Sequence, residues 1–417
     1  MKIALIMHEL LVEGGGERQC VSLARALLRM GHDVDLYTSA YDRDHCFPEV
    51  CRELKVTEVG RGIFPWLRKP RVVRSYLDMW RLAEAVEQRY DVWNPHHWPA
   101  EWGAVRLKKK LGGVVVWTCN DVPNFHQKTH GNKLGIETLK RFFYWVDYLY
   151  DRVQARRIDL TVFLSQWAES EFKTIYPVST AVVRSGADPD RFRPGGDRRK
   201  VRNRFCCDED EFVLLWLGIF MPHRRLEDAI EAVALLKKRG HRIKLLLAGS
   251  GALFPDYFAG LQALTAQRGM QEEVVFTGKV PDDEMRDFYC ACDAFLFPNE
   301  NQTWGLAVLE AMACGTPVLV SQGAAVHEAL TDGHDAVLFP ARDPAALAQN
   351  IEQLISDPNQ REKIAANGLE LVRTEYNWQR FGEKMADVFH QVVSAARSQR
   401  LGLISVEVQS GKSSTVK

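Results

Sequence analysis

The stretch from Gly305 to Cys314 predicts a short apolar helix, and Gly315 and Pro317 behind it are typical of a helix end. Glu310 is the only charged residue in that run. A carboxylate in such a setting is rarely buried unless a partner binds it. Its oxygens could accept hydrogen bonds from two vicinal hydroxyls, as on a ribose. Alternatively, Glu310 pairs with a buried arginine or lies at an exposed edge.

Two glycine-bounded helix starts could bind a phosphate. Gly14, Gly15 and Gly16 precede a predicted helix and could present free amides to an anion, although a flexible turn explains them equally well. The dinucleotide fingerprint is excluded, because Gln19 stands where its third glycine would fall. The amides of Gly305 and the residue after it, one turn before the carboxylate of the apolar helix, offer a second such site.

Arg224 and Arg225 follow a predicted strand and directly precede a predicted helix. Two guanidinium groups there could neutralise a diphosphate leaving group. The alternative is a solvated helix start, although basic residues are disfavoured at that end of a helix unless an anion is present. The pair is therefore a candidate for stabilising negative charge.

Composition bounds the kind of protein. A chain of 417 residues is too long for one core, so two or three domains are expected. Lys+Arg and Asp+Glu both total 54, which gives no electrostatic reason to expect nucleic acid. No run approaches the ~18 apolar residues of a membrane span. MKIALIMHEL reaches His8 too soon for a signal peptide, and nine cysteines without a CxxC pair indicate reduced thiols, so we expect a cytoplasmic protein.

Strands and helices alternate along both halves of the chain. The predicted strands are 2–7, 34–37, 211–218, 243–251, 274–278, 294–298 and 317–321, with helical segments between them. This alternation predicts an α/β protein with two doubly wound domains, 1–187 and 197–376, joined by the polar linker Asp188–Asp197. The segment from 398 to 417 is predicted to be disordered. Ligands of such sheets bind beyond the carboxyl ends of the strands, which selects the loops 8–17, 118–126, 219–225, 249–252 and 298–305.

The segment 298–321 resembles the donor-binding signature of retaining glycosyltransferases of family 4, which have the GT-B fold. The matching residues are Trp304-Gly305-Leu306, Leu309-Glu310-Ala311-Met312-Ala313 and Gly315-Thr316-Pro317-Val318. Weaker matches are GGGER at 14–18, Val182–Asp188, Ala248–Gly251, Thr277-Gly278, His327-Glu328 and Asn377-Trp378. The resemblance covers about residues 1–395. It implies two Rossmann-like domains facing across a cleft and a C-terminal helix, about 377–395, that packs back on the first domain.

The resemblance also implies an activity: transfer of a hexose from a UDP- or GDP-linked sugar to a saccharide or lipid-linked acceptor, with retention and without a metal or other cofactor. Glu310 would hold the ribose hydroxyls. The diphosphate would lie against Gly15, Gly16, Gly305 and Leu306 and against Arg224 and Arg225; Gly249, Gly278, Gln302, Thr303 and Trp304 complete the donor-binding set. The leaving phosphate would help to deprotonate the acceptor, so no protein nucleophile is needed.

Three residues depart from the family pattern. Gln302 stands at the first signature glutamate, Ile219 at a usual arginine and Asn120 near the usual histidine. These changes fit either a subfamily with altered sugar contacts or a protein with weakened catalysis. They leave open a catalytically silent binding or scaffold protein, and another GT-B activity such as a nucleotide-sugar epimerase also remains open. Asp121 is a candidate base or orienting residue for the acceptor, or a helix cap.

Two more features concern the acceptor side. His96 and His97 follow a strand and either contact the acceptor or pack; no third ligand at metal spacing accompanies them, which argues against zinc. Apolar residues recur at helical spacing over 139–153 beside several basic residues, and 61–74 adds more basic and aromatic residues. Both segments predict either peripheral docking on an anionic inner-membrane face or, for the first, an ordinary core-facing helix.

Overall fold

Strand-length apolar segments alternate with amphipathic helices, and in the computed structural model they form two separate parallel sheets. The structure describes residues 1–11, 14–60, 71–120, 149–176 and 178–400. All pairings between neighbouring strands are parallel. Most of these strands are buried along their whole length, as expected for a sheet covered by helices on both faces.

The first sheet has seven strands within the described ranges, in the order β3-β2-β1-β4-β5-β6-β7. They are β1 (Lys2–Leu10), β2 (Asp33–Tyr41), β3 (Lys55–Glu58), β4 (Val92–His96), β5 (Val114–Thr118), β6 (Leu160–Phe163) and β7 (Thr180–Val182). The accompanying helices are α1 (Gly15–Arg29), α2 (Pro48–Cys51), α3 (Arg71–Ala85), α4 (Ala100–Leu111) and α5 (Gln166–Ile175), and residues 149–155 are also helical. The strand order reverses between β1 and β4.

The second sheet repeats this arrangement with six described strands, in the order β10-β9-β8-β11-β12-β13. They are β8 (Phe212–Leu217), β9 (Ile243–Ala248), β10 (Val274–Gly278), β11 (Ala294–Phe297), β12 (Val318–Ser321) and β13 (Val337–Phe339). Its α-helices are α6 (Arg198–Arg204), α7 (Leu226–Lys238), α8 (Pro255–Gln267), α9 (Met285–Ala291), α10 (Leu306–Ala313), α11 (Pro344–Ser356) and α12 (Pro358–Thr374). Two short 3₁₀ helices, Pro222–Arg224 and Ala325–Ala329, lie in loops.

The predicted α/β class with two doubly wound parallel sheets is confirmed. Every strand predicted from the sequence is present, with ends shifted by a few residues. The order in both sheets is that of the Rossmann fold, in which the point of strand reversal leaves a crevice at the carboxyl ends of the strands. In each sheet, a ligand is therefore expected at the carboxyl ends of the strands, at the point where the strand order reverses.

The last described helix, α13 (Trp378–Arg400), follows the second sheet in sequence but packs against the first half of the chain. A β-carbon added at Gly382 would lie 2.7 Å from Cβ of Ala26 in α1, so the two helices are in close contact. Arg397 forms an ion pair of 3.1 Å with Asp91, beside β4. Residues 398–400 continue this helix, and the rest of the tail predicted to be disordered lies outside the described residues.

Candidate functional site

The predicted site residues lie beyond the carboxyl ends of strands in both sheets. In the first half, Gly15 and Gly16 follow β1 and Asn120 follows β5. In the second half, the two arginines follow β8, Gly249 follows β9, Gly278 ends β10, and residues 302–306 follow β11. The two halves present these loops to one another, as the contacts described below establish.

The carboxylate of Glu310 is buried on α10, one turn after the start of the helix at Gly305. Its Oε2 atom accepts a hydrogen bond of 2.8 Å from the hydroxyl of Tyr289 on α9. Burial and the neighbouring Glu310 raise the pKa of the Tyr289 hydroxyl well above its usual value, so tyrosine remains the donor. The hydroxyl of Tyr289 therefore holds one carboxylate oxygen of Glu310 in place without adding a charge.

The starts of helices α1 and α10 face each other. Gly15 is the first residue of α1, and a β-carbon there would lie 3.5 Å from Cδ1 of Leu306, the first residue of α10. Gly14 and Gly305 precede the two helices and have no side chain with which to cap them. Helix N-termini carry partial positive charge and free amide groups, so this region is suited to an anion.

Gly16, His97 and Asn120 form the first-domain side of the site. A β-carbon at Gly16 would lie 1.6 Å from Nε2 of His97, so only glycine lets this ring approach α1 so closely. The Nε2 atom of His97 lies 3.3 Å from Nδ2 of Asn120. Asn120 was predicted to stand near the family histidine, and the structure brings a histidine from another strand beside it.

His96 has a different environment from its neighbour. It is fully buried, and its Nε2 atom lies 2.9 Å from Oδ1 of Asn94 within β4. Burial, with a smaller contribution from His97, lowers the pKa of His96 to about 3, so the ring is neutral at physiological pH. The sequence left acceptor contact or packing open for the two histidines. His96 is packed in the interior, whereas His97 faces the site.

The two adjacent arginines have different partners. Arg224 donates a hydrogen bond to the side-chain oxygen of Gln302, which joins the loop after β8 to the loop after β11. Arg225 donates to both carboxylate oxygens of Asp228, at 2.8 and 2.9 Å, and lies 2.7 Å from Glu227. The first turn of α7 itself therefore supplies the anion that we expected a ligand to supply at Arg225. The predicted phosphate contact of Arg224 remains a prediction.

Gly249 directly follows β9, and Gly278 ends the neighbouring strand β10. The amide of Gly249 donates to the carbonyl of Gly278 at 2.8 Å. With φ at +151°, Gly249 also approaches Gly218 so closely that a β-carbon would lie 1.6 Å from its carbonyl oxygen. Ile219 stands at the position of the family arginine and directly follows Gly218. Its side chain is 47% exposed, so it leaves an apolar surface there.

The remaining donor-binding candidates divide between the site and the core. The side chains of Gln302 and Thr303 are half-buried in the loop before α10. Trp304 is 3% exposed and belongs to a hydrophobic cluster, with its ring centroid 6.3 Å from that of Tyr376. Its indole therefore packs in the core, and a donor contact is left to its backbone.

Sequence reasoning missed an ion-pair network that joins the two halves at this site. Arg18 of α1 lies 2.7 Å from Asp282 of the second half, and Arg191 of the linker contacts the same carboxylate. Burial raises the pKa of Asp282, but the two guanidinium groups outweigh it and lower that pKa below its usual value. Glu310 and Asp282 likewise raise the pKa of Arg18 despite its burial. The GGGER motif contains Arg18, one turn after Gly14, which was the available signal.

A second contact between the halves involves Glu328 in the 3₁₀ helix Ala325–Ala329. Its carboxylate accepts hydrogen bonds from the backbone amides of Gln166 and Trp167, at 2.7 and 2.8 Å. These are the first two residues of α5, a helix of the first half of the chain. Glu328 thus satisfies free amides of one half with a carboxylate from the other.

A cavity of about 780 Å³ opens next to the ion-pair network. It is lined by residues of both halves, including His45, Glu49, Arg191, Lys279 and Asp282. Lys279 and Asp282 follow β10, which ends at Gly278. Of the site residues described above, Arg191 and Asp282 line this cavity, and the residues at the two helix N-termini do not.

One cluster in the first half has the spacing of metal ligands. Ligand atoms of His8, Glu9 and Asp78 lie within 4.8 Å of one another. Arg74 contacts Glu9, and its Nε atom lies 3.6 Å from Asp78, so a cation already occupies the neighbourhood of these carboxylates. The expectation that the reaction needs no metal remains a prediction.

Some predicted features lie outside the described residues. They are Asp121 and most of the two segments considered for membrane docking, 61–70 and 139–148. Among the helices that the structure describes, none has the length and apolar character needed to cross a bilayer. Peripheral membrane contact therefore stays a prediction.

The amino-acid sequence matches the models of two glycosyltransferase families. The profile of "Glycosyl transferases group 1" matches residues 197–371, and that of "Glycosyltransferase Family 4" matches residues 13–191. The chain is 33% identical to a D-inositol 3-phosphate glycosyltransferase of Frankia alni, over 85% of this chain and 89% of that protein. It is 30% identical to another from Catenulispora acidiphila, over 93% and 92%.

Solved structures resemble the whole chain in fold. A sucrose-phosphate synthase from Thermosynechococcus elongatus has a TM-score of 0.76 at 20% identity, covering 94% of this chain and 99% of that one. The Anabaena protein HepE, in complex with UDP-glucose, has a TM-score of 0.75 at 18% identity, covering 94% and 100%. Because both alignments span nearly the full chains, the two sheets and their mutual arrangement are shared.

Proposed function

The chain belongs to the group 1, family 4 glycosyltransferases and has their GT-B fold, and from this premise we propose that it moves a hexose from a UDP- or GDP-linked sugar to a glycan or lipid-linked acceptor. The observation that carries the proposal is the meeting of two uncapped helix N-termini, at Gly15 and Leu306, beside the buried carboxylate of Glu310. The helix N-termini suit the negatively charged diphosphate, and the carboxylate of Glu310 suits the hydroxyl groups of the uncharged ribose.

The diphosphate binds between the two helix starts. The amides of Gly15 and Gly16 approach it from the first half, and those of Gly305 and Leu306 from the second. Arg18 adds a positive charge nearby, held in place by Asp282, which also contacts Arg191. Backbone amides and guanidinium groups can supply this field without a divalent metal.

The ribose binds at Glu310, whose oxygens accept hydrogen bonds from two vicinal hydroxyls. Tyr289 keeps the carboxylate in one orientation by donating to Oε2 at 2.8 Å. Glu310 retains acceptor capacity for a ligand, since each carboxylate oxygen has two lone pairs. The base and sugar then extend toward the loops after β10 and β11.

The transfer proceeds on one face of the sugar. The bond from the anomeric carbon to the leaving phosphate oxygen breaks, the new glycosidic bond forms on the same side, and the acceptor proton passes to the departing phosphate. Arg224 stabilises the charge that grows on that phosphate, and its bond to Gln302 positions it. His97 and Asn120 lie on the acceptor side. The HepE complex with UDP-glucose supports a uridine donor among the two considered.

The test is a calorimetric titration of the full chain with UDP, GDP, ADP and CMP, with and without EDTA. We expect one nucleoside diphosphate to bind regardless of EDTA, and Glu310→Gln to weaken it about tenfold or more by removing a charged acceptor. Glu300→Gln is the matched control, because Glu300 lies in the loop that leads into α10 but pairs with Arg342.

The reaction itself is followed with the donor that binds. The anomeric proton coupling of the product, measured by NMR, reports retention or inversion directly. No binding of any nucleotide would instead favour a silent binding or scaffold protein, and turnover of the donor without an acceptor would favour an epimerase.

A further inference from the structure

Two cysteines meet beside the Tyr289–Glu310 hydrogen bond. Cys290 lies near the end of α9, and Cys314 follows the last residue of α10. The Sγ atom of Cys290 lies 3.9 Å from the carbonyl oxygen of Cys314 and 3.7 Å from that of Arg193. Cys290 is half-buried, so small molecules can reach one member of the pair, whereas Cys314 is buried.

The pKa of Cys290 lies below the ordinary value of a thiol, although its Sγ atom is placed to donate to two carbonyl oxygens. The hydrogen bond from the Cys314 side chain, helped by the Gly196 amide and the charge of Arg286, lowers the pKa of Cys290 to about 6 against the effect of burial. The same hydrogen bond, with burial, raises the pKa of Cys314, which remains a thiol and the donor. A half-exposed thiolate beside a second thiol has the arrangement of an oxidisable pair.

Cys292 provides an internal contrast. It lies two residues after Cys290, but its Sγ atom contacts the carbonyl of Tyr289 at 3.2 Å. It is buried, and burial raises its pKa well above the usual value. Proximity in sequence therefore does not make Cys292 part of the reactive pair.

The pair is connected to Glu310 at both ends. Tyr289, which donates to Glu310, directly precedes Cys290. The amide of Cys314 donates to the carbonyl of Glu310 at 3.1 Å in the last turn of α10. A disulfide between them would tie α9 to the end of α10 through a bond of specific geometry. Because Tyr289 directly precedes Cys290, a change in the position of Cys290 is passed to the residue that donates to Glu310.

We propose that Cys290 and Cys314 are a peroxide-oxidisable dithiol, and that their disulfide weakens nucleotide binding by disturbing the Tyr289–Glu310 hydrogen bond. The effect on binding rests on the proposed function, since it takes Glu310 as the ribose acceptor. Formation of the disulfide does not rest on it and can be measured separately.

The chemistry needs a peroxide as oxidant. The Cys290 thiolate attacks one oxygen of hydrogen peroxide, a sulfur–oxygen bond forms, the oxygen–oxygen bond breaks, and hydroxide leaves and takes a proton. Cys314 then attacks the sulfenic acid sulfur, forming the disulfide as water leaves with the Cys314 proton. Two thiols are oxidised and one peroxide is reduced to two waters. A dithiol such as dithiothreitol reverses the reaction.

The first experiment maps the bond by mass spectrometry after hydrogen peroxide treatment of the full chain. Cys290, Cys292 and Cys314 fall in one tryptic peptide, 287–342, because no lysine or arginine lies between Arg286 and Arg342. We expect this peptide to lose two hydrogens and to regain them with dithiothreitol. Cys292→Ser should behave like the unmodified sequence, and Cys290→Ser and Cys314→Ala should lose nothing. Loss of two hydrogens in Cys290→Ser would overturn the pairing, as would sulfinic acid at Cys290 without a disulfide.

The second experiment titrates UDP and GDP into the same samples before and after oxidation. We expect the dissociation constant to rise about threefold or more on oxidation of Cys292→Ser and to stay unchanged for Cys290→Ser. A mapped disulfide with unchanged affinity would overturn the coupling. Absence of nucleotide binding in the reduced protein would contradict the proposed function and this coupling, while the mass measurement would still decide the dithiol.

Discussion

Among the described residues, the buried carboxylate of Glu310 has a neutral hydrogen-bond partner and no salt bridge at hydrogen-bonding distance. Its described hydrogen bond comes from a neutral hydroxyl, that of Tyr289, and Arg18 acts on it through charge from the facing domain. A neutral donor orients a carboxylate while leaving most of its charge for a ligand. Most of the hydrogen-bonding capacity of the Glu310 carboxylate therefore remains available to a ligand.

Tyr289→Phe tests this orientation. The change removes one hydrogen bond to Glu310, and we expect nucleoside diphosphate affinity to fall about fivefold, equivalent to about 1 kcal/mol. Isothermal titration with the bound nucleotide and with its 2′,3′-dideoxy form measures the effect. Because the dideoxy ligand makes no hydroxyl contact with Glu310, the substitution should leave its affinity unchanged. An equal loss for both ligands would indicate a general structural defect.

Arg224 and Arg225 are adjacent yet should differ when substituted. Arg224→Gln should lower kcat about 10²-fold or more with a much smaller effect on donor binding, because the charge it stabilises grows in the transition state. Arg225→Gln should leave kcat within a few-fold and lower thermal stability, because it loses Glu227 and Asp228. Steady-state kinetics of both variants measure kcat, and thermal unfolding measures their stability. Equal losses of kcat would contradict the distinction.

The residues that sequence reasoning identified and those it missed differ in a physical way. Glu310 and the glycines before α1 stand out because a local run of neighbours makes them conspicuous. Arg18 acquires its role from Asp282, 264 residues away, and such a contact leaves no periodic trace in sequence. The predicted phosphate contact of Arg225 stays a prediction, and its described partners Glu227 and Asp228 lie two and three residues further along the chain.

Among the elements, the end of β9 at Gly249 is tightly constrained by backbone packing. A side chain at Gly249 would meet the carbonyl of Gly218 at 1.6 Å, and φ is +151°. Neither obstacle can be removed by turning a flexible neighbour. The edge of the second sheet therefore depends on one residue type at this place.

Gly249→Ala should lower the free energy of unfolding by about 3 kcal/mol, since backbone strain adds to a steric clash that shifts β8 or β9. Gly240→Ala is the matched control: φ is +87° there, but an added β-carbon meets nothing within 4 Å. We expect it to cost only about 1 kcal/mol. Urea unfolding of the two variants measures the difference, and equal midpoints would show that the clash is relieved.

Periodicity predicted the strands because each is a short apolar run between glycines and polar turns, as Phe212–Leu217 illustrates. It could not predict which way a side chain in a loop would face. Trp304 lies in the signature segment and was assigned to the donor, yet its indole packs with the core. An aromatic ring next to a site gains more from burial than from solvent exposure.

At the scale of the whole molecule, Asp282 joins the two halves through Arg18 and Arg191. Since its pKa is lowered in the folded protein, the contact stabilises the closed arrangement above the unfolded-state pKa of about 3.9. That contribution is lost as pH falls through the lowered value. Acid should therefore separate the halves before it unfolds the sheets.

Asp282→Asn should produce the same separation at neutral pH. We expect a larger radius of gyration by small-angle scattering for the nucleotide-free variant at pH 7, approaching that of the unmodified protein near pH 3. Asp283→Asn is the matched control, since Asp283 is the exposed neighbouring carboxylate. An unchanged radius for Asp282→Asn would mean that Glu328 and the other contacts hold the halves together without this network.

The packing of α13 against α1 has a consequence for synthesis on the ribosome. The second sheet is, in effect, inserted between two segments of the first half, residues up to the linker and the helix Trp378–Arg400. Until that helix has emerged, the face of α1 around Ala26 stays open to water. The half of the molecule that is translated first is thus completed last, and the inserted half, continuous in sequence, is the one that can finish folding while translation continues.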